Sequence, residues 1–170
     1  MSPVVAQEYR QHILSLYVAN KPGVLIRVSL VFARRGYNID SLVVSSAHDS
    51  HFSQMNIAAS GDSKTLDQIL KQLNKLVDVV HATDNKLEEV IQKELLLIKL
   101  DCPPEKRTEI LQVASAFKGE IVDLSETTIT FEVSGDPDKL DTVHSICSHY
   151  GVIEMVRSGK ILMAKGTRVT

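Results

Sequence analysis

The chain has 170 residues, enough for one large domain or two small ones, with 44% hydrophobic content and no Trp. Its 19 Lys plus Arg against 21 Asp plus Glu give a formal net charge of -2, which excludes the basic excess that holds nucleic acid by counterion release. No apolar run is long enough to span a bilayer, nothing resembles a signal peptide, and the two cysteines, Cys102 and Cys147, lack C-x-x-C spacing, so a cytoplasmic protein with two inert thiols is expected.

In chain order, Leu14, Leu16 and Val18 share one face of a strand expected over residues 12–19. Pro22-Gly23 breaks that strand and opens a helix over residues 23–35. Gly23 has no Cβ and lets another group approach the backbone. A helix N-terminus adds unpaired N–H groups and a partial positive charge, which suit a carboxylate. Leu25, Val28 and Phe32 form one apolar stripe on this helix; Ile26, Leu30 and Ala33 form a second. A surface helix of a monomer needs only one, so the second stripe is expected to be covered by another copy or by the second half of the chain. Gly36 ends the helix, and Asn38 opens a second strand over residues 37–47. Ala47-His48-Asp49-Ser50-His51 is a polar turn, and a third strand follows over residues 52–60. Asp62 or Ser63 can cap a second helix, in which Leu66, Ile69, Leu70 and Leu73 fall at i, i+3, i+4 and i+7. A fourth strand covers residues 77–83. Two βαβ units in this order make a four-stranded antiparallel sheet with both helices on one face.

Asp84-Asn85-Lys86 interrupts the pattern and marks the expected boundary between domains 10–84 and 85–170. Domains this small have thin cores and need a partner to cover apolar surface. Residues 87–93 read as a short helical linker, and residues 95–100 as an apolar strand. Pro103-Pro104 opens a helix with Ile110, Val113, Ala114 and Phe117 inward, and Gly119 is placed as its C-terminal cap. Residues 121–124 and 127–133 form a hairpin with Ile129, Phe131 and Val133 on one face. Asp136-Pro137 supplies an N-cap and first-turn proline to a helix carrying Leu140, Val143 and Cys147, which Gly151 ends. Residues 152–156 and 161–164 flank a Ser158-Gly159 turn. The order of elements repeats, though the sequence does not. The expected class is therefore α+β, with two βαββαβ domains of ferredoxin-like type in tandem.

No catalytic constellation stands out: G-x-S-x-G, P-loop and G-x-G-x-x-G patterns are absent. His48 and His51 stand at H-x-x-H spacing in a turn, too few ligands for a metal, and a solvated turn accounts for them. The candidate ligand site is Asn20, Pro22, Gly23, Val24 and Leu25 with Asn38 and Ile39. Backbone N–H groups near Gly23 and Val24 can take a carboxylate. The Asn38 amide can donate or accept at either end of an amino acid, and Val24, Leu25 and Ile39 can supply an apolar wall. On the alternative reading, Pro22-Gly23 is only a strand–helix turn and Asn38 only a turn residue after Gly36.

The stretch from Asn20 to Leu42 resembles the ACT domain, a regulatory module that binds amino acids. Within it, Arg34-Arg35-Gly36-Tyr37-Asn38-Ile39-Asp40-Ser41-Leu42 resembles the signature of the small regulatory subunit of acetohydroxyacid synthase, also called acetolactate synthase. Lys71-Gln72-Leu73-Asn74-Lys75-Leu76-Val77-Asp78-Val79 resembles that family's second signature. Phe117-Lys118-Gly119-Glu120-Ile121-Val122-Asp123 and Arg157-Ser158-Gly159 are similar to its C-terminal half. The resemblance implies a non-catalytic chain with no cofactor of its own. It implies a separate large catalytic subunit that carries thiamine diphosphate, magnesium and FAD, whose activity this chain raises and makes subject to feedback inhibition by valine. Leucine and isoleucine differ from valine by little apolar volume and stay open as effectors. A homodimer is expected, its ACT domains joined side by side into one sheet. Ile26 departs from the small polar residue common in the family after Leu25. A tandem sensing module that regulates transcription is a rival, but it would need a DNA-reading helix or a fused effector domain. A small enzyme on the same scaffold is a weaker rival, since a fold alone does not decide function.

Overall fold

A computed structural model describes residues 9–170, with side chains from Gln11 onward. The chain forms two compact units: the first is residues up to Ile91 together with Lys160–Thr170, and the second is Gln92–Gly159.

In the first unit, β1 (Tyr9–Ala19) leads to α1 (Val24–Ala33), β2 (Ser41–Ser46), β3 (Phe52–Asp62), α2 (Ser63–Leu73) and β4 (Val79–Asp84). The sheet order is β2-β3-β1-β4 and every pairing is antiparallel. Period-two alternation sends Leu14, Leu16, Val18, Met55 and Ile57 to the helix side, where they bury against Val28, Phe32, Leu66, Ile69 and Leu73. Asp62 caps α2 as expected, its carboxylate accepting the Thr65 N–H at 2.8 Å.

The second unit repeats the order with β5 (Val90–Asp101), α3 (Arg107–Ala116), β6 (Glu120–Leu124), β7 (Thr128–Gly135), α4 (Pro137–Cys147) and β8 (Val152–Arg157). Its sheet runs β6-β7-β5-β8. Leu96, Ile98, Leu100, Ile129, Phe131 and Val133 meet Ile110, Ala114, Leu140, Val143 and Cys147 in a second core. Both units are thus ferredoxin-like βαββαβ folds.

Four details differ from the sequence reading. The linker expected to be helical makes one short turn at Leu87–Glu89, and β5 then begins at Val90. The strand β9 (Ile161–Ala164) pairs with β5 and not with β8, and it lies in the first unit. There Leu162 packs with Ile13 and Val90, and Lys165 donates its N–H to the Glu89 carbonyl at 2.9 Å. The segment assigned to the second domain therefore completes the first. At the end of α3 the left-handed residue is Lys118 (φ 56°), not Gly119. Gly119 is needed for space: a Cβ there would stand 3.0 Å from the Ala114 carbonyl and 3.1 Å from Phe131 and Val133. Finally, Asp136 occupies the N-cap position of α4, but its carboxylate pairs with Lys93 at 3.0 Å instead of capping the helix.

Candidate functional site

The candidate residues all lie in the first unit, gathered at the two ends of α1. At its N-terminal end, β1 stops at Ala19, whose N–H reaches the Asp78 carbonyl at 2.8 Å. Asn20 is engaged in holding loops together: its N–H bonds the His51 carbonyl at 2.7 Å, and Nδ2 bonds the Ser50 carbonyl at 3.0 Å. Pro22 is exposed, and Gly23 follows at φ 84° as the N-cap, with no side-chain cap. A left-handed conformation at this position suits glycine because no Cβ meets the following carbonyl. The first intrahelical bond is Arg27 N–H to Gly23 carbonyl, 3.1 Å. The N–H groups of Leu25 and Ile26 precede it and have no intrahelical acceptor, and the helix dipole adds a partial positive charge.

Three charged residues frame this turn. Asp78 holds Lys21 at 3.1 Å and Arg27 at 2.5 Å, and the Arg27 Nη1 atom lies 3.5 Å from where a Gly23 Cβ would stand. The bonded Lys21 ammonium, with Arg27 beside it, keeps the Asp78 carboxyl below the ordinary aspartate range against the opposing effect of burial. Sequence reasoning passed over Arg27 and Asp78. The spacing Gly23/Arg27 at i, i+4 could have flagged the first. Asp78 is more than fifty residues away, and only the antiparallel pairing of β1 with β4 brings it here.

Val24 is 2% exposed and its side chain belongs to the core, so only its backbone borders the turn. Leu25, 41% exposed, is available as an apolar wall. With Ile26 at 66% and Leu30 at 44% it forms an uncovered stripe. The buried stripe of α1 is Val24, Val28, Val31 and Phe32, not the Leu25-Val28-Phe32 set expected.

Asn38 and Ile39 lie at the other end of α1. The helix has 10 residues, which at 1.5 Å rise each separates the two ends by roughly 15 Å. Asn38 does not open a strand. The β2–β3 ladder starts at Ser41, and residues 37–40 form a loop that leaves Gly36 at φ 64°. In it, the Asn38 Nδ2 atom donates to Asp40 at 3.3 Å, and Asp40 accepts the Ser60 hydroxyl at 2.5 Å. Ile39 is half-buried against the core. A cleft of about 430 Å³ opens here between Arg35, Asn38, Ser60, Asp62 and Thr65. The Tyr37 ring forms part of it, lying on Gly61 with its hydroxyl donating to the Asp62 carbonyl at 2.9 Å. One chain therefore does not bring Gly23 and Asn38 together around a single small zwitterion.

Elsewhere the chemistry is quiet. His51 pairs with Asp49 at 2.7 Å in an exposed turn, and among the described residues no group of three or more His, Cys, Asp or Glu is placed to hold a metal. Cys102 and Cys147 are buried free thiols, and burial pushes the Cys147 thiol up to about 11.

Two family models cover most of the chain. Residues 14–81 match the AHAS small subunit-like ACT domain, and residues 93–166 match the small subunit of acetolactate synthase. A probable acetolactate synthase small subunit from Archaeoglobus fulgidus is 40% identical over 158 residues, 93% of this chain and 99% of the relative. The acetolactate synthase small subunit of Mycolicibacterium smegmatis is 38% identical over 157 residues, 92% of each chain. Among solved structures, the acetolactate synthase small subunit from Thermotoga maritima superposes with a TM-score of 0.84 at 36% identity, covering 94% of this chain and 99% of that one.

Proposed function

The chain belongs to the acetolactate synthase small-subunit family, and from that premise we propose that it binds a branched-chain amino acid, valine first, raises the activity of a large catalytic subunit, and transmits feedback inhibition to it. The observation that carries the effector reading is the Gly23 turn: a left-handed, uncapped helix start with free first-turn N–H groups and Arg27 alongside. Such a start is matched to a carboxylate. The large subunit, with thiamine diphosphate, magnesium and FAD, does the chemistry in this reading, and the present chain none.

The separation of the two half-sites bears on assembly. A C2 pair of chains presents the same patch twice, so the Gly23 end of one α1 can face the Asn38 end of the other. Each effector site then takes its carboxylate donors from one copy and its Asn38 amide from the second. The uncovered stripe of Leu25, Ile26 and Leu30 supports the same pairing, since burying it needs a partner. Residues 10–84 serve as the effector and dimer module in this reading.

The test is the rate of the reconstituted synthase against valine, leucine and isoleucine concentration. The small subunit alone should make no acetolactate, and adding it should raise the large subunit's rate. Valine should then lower that rate. Asn38→Ala should raise the inhibition midpoint by roughly ten-fold, since an unpaired buried polar group costs about 1–3 kcal/mol. A synthase indifferent to all three amino acids would overturn the effector reading, and a monomer at micromolar concentration in light scattering would overturn the shared site.

A further inference from the structure

Resting on the effector reading above, we propose that Asp40, braced by Ser60, turns the Asn38 amide so that its oxygen receives the effector's ammonium group. The site then takes an amino acid in one direction and rejects the 2-keto acid of the same carbon skeleton. Asn38, Asp40 and Ser60 all belong to the first unit. Asn38 Nδ2 donates to Asp40 Oδ1 at 3.3 Å, and the Ser60 hydroxyl donates to Asp40 Oδ2 at 2.5 Å. An ionised carboxylate only accepts hydrogen bonds, so the edge of the amide that meets it is the NH2. The carboxamide is planar, and committing its nitrogen to Asp40 also fixes where its oxygen lies. Asn38 is exposed, and its Oδ1 has no partner among the described residues.

The loop that carries Asn38 is pinned on both sides of it. Before it, the Tyr37 hydroxyl donates to the Asp62 carbonyl at 2.9 Å. After it, Ile39 packs on the core, and the Asp40 N–H donates to the Ala58 carbonyl at 2.8 Å, one residue before the β2–β3 ladder begins. Ser60 stands on β3, where that strand pairs with Gln11 of β1. With the backbone held, the freedom left is rotation of the Asn38 side chain, and Asp40 removes it. The oxygen so presented matches an ammonium group, which only donates, and opposes a ketone oxygen, which only accepts. A site that aims a polar group in this way rejects a close analogue because the group is left unpaired. The Asp40 charge also disfavours an effector carboxylate at this end, which leaves the carboxylate to the helix start at Gly23. Asp40 and Ser60 are positioning residues here, since Asn38 alone of the three meets the ligand.

The test is calorimetry on the full-length small subunit with valine, with 3-methylbutanoate, which lacks the ammonium group, and with 3-methyl-2-oxobutanoate, which puts an acceptor in its place. Wild type should bind valine about ten-fold or more tightly than either acid, the worth of one charge-assisted hydrogen bond. Asp40→Ala should weaken valine by about ten-fold and leave 3-methylbutanoate within about two-fold. It should not weaken the keto acid, because the freed amide can turn its NH2 to the ketone. Asp40→Asn keeps an acceptor of the same shape toward Asn38 and should hold valine within about three-fold of wild type. Ser60→Ala should weaken valine by about three-fold with the keto acid unmoved, and it carries the test if Asp40→Ala does not fold. Unchanged valine binding in Asp40→Ala, or equal loss of all three ligands, overturns the proposal. So does an Asp40→Asn loss as large as that of Asp40→Ala, since the carboxylate would then take the ammonium itself. A wild type that binds valine and the keto acid alike overturns the orientation and leaves the effector reading standing. A wild type that binds none of valine, leucine and isoleucine overturns both.

Discussion

The two units share one topology and differ where a helix begins. In the first, α1 starts at a left-handed glycine with no side-chain cap, leaving donors free beside Arg27. In the second, α3 starts at Lys106 in a right-handed conformation, after Pro103-Pro104. Next to that start, Arg107 extends its guanidinium to the carbonyls of Ser125 at 3.1 Å and Glu126 at 2.5 Å, and so ties the turn down. The α1 face carries an uncovered stripe of three large apolar side chains, whereas α3 exposes Leu111 alone among its large ones. The same arrangement of strands and helices thus yields one open helix start and one closed one. In the proposed reading, ligand binding belongs to the turn and not to the fold.

The comparison breaks most visibly at the two N-caps. Gly23→Asp adds about 1–2 kcal/mol of left-handed strain and a negative charge at the proposed carboxylate site. Feedback coupling is typically about 1–3 kcal/mol in total, so most inhibition should disappear while activation of the large subunit survives. Lys106→Asp, at the matching position of the second unit, should leave the inhibition curve in place. Equal effects of the two changes in valine titrations would mean that the open start is not the site.

A second pair compares the glycines that precede α2 and α4. A Cβ on Gly61 would fall 2.2 Å from the Tyr37 ring, which is tethered to Asp62 and packed on the core. A Cβ on Gly135 would fall 2.5 Å from Lys139 Cδ, part-way along a flexible side chain whose ammonium donates to the Ser134 carbonyl. Gly61→Ala should cost about 1–3 kcal/mol and disturb the cleft beside Asn38. Gly135 is buried too, but the lysine in the way can swing aside where the Tyr37 ring cannot, so Gly135→Ala should cost less than Gly61→Ala. Urea midpoints of the two variants decide.

The helix ends sharpen the contrast further. Gly36 and Lys118 hold equivalent left-handed positions after α1 and α3. Lys118→Gly should stabilise the second unit by roughly 1 kcal/mol by removing the Cβ–carbonyl crowding, and Gly36→Lys should destabilise the first by a similar amount. Cys102 and Cys147 both lie in the second unit, so their reactivity toward a thiol reagent in urea reports on that unit alone. Lys118→Gly should move the thiol-exposure midpoint upward.

The smallest effect expected is on acid stability. Among the described residues, the carboxyls lowered from the ordinary aspartate range are Asp49, Asp62 and Asp78, all in the first unit. Asp62 is lowered chiefly by the Thr65 N–H it accepts, and Asp78 chiefly by bonded Lys21. A folded-state pKa below the unfolded one means that the ionised form stabilises. That stability is complete above the ordinary aspartate pKa and is lost as pH falls through the depressed value. Between roughly pH 5 and 3 the first unit should therefore lose stability faster than the second. Hydrogen exchange of α2 against α3 amides checks this, and Asp62→Asn with Asp78→Asn should flatten the difference.

Most of the architecture was legible because two periods, 3.6 and 2, alternate cleanly along the chain. The face of α1 was not. From Val24 to Phe32 the helix is apolar except at Arg27 and Ser29, so several stripes fit equally well, and only packing in the core chooses Val24, Val28, Val31 and Phe32. Tyr37 and Ile39 favour a strand by propensity, yet Tyr37 turns to lie on Gly61 and the ladder waits until Ser41. The Gly23 turn was legible from Pro-Gly after an alternating run. Its distance from Asn38 was not, because sequence proximity hid a whole helix between them. The fate of Ile161–Ala164 depended on long-range pairing with β5, which no local pattern encodes.

The closure of the first unit by its last residues has a consequence for how the protein is made. Ile13, Val90 and Leu162 are each 5% exposed or less, and they bury one another across about 150 residues of chain. On a ribosome the N-terminal unit emerges first, but Ile13 and Val90 must wait, uncovered, until Leu162 has been translated. The second unit has all of its own strands by Arg157 and can finish folding earlier. The first unit is thus sealed only after the second has been translated, and a messenger truncated just before Lys160 would release a chain with a complete second unit and an unsealed first one.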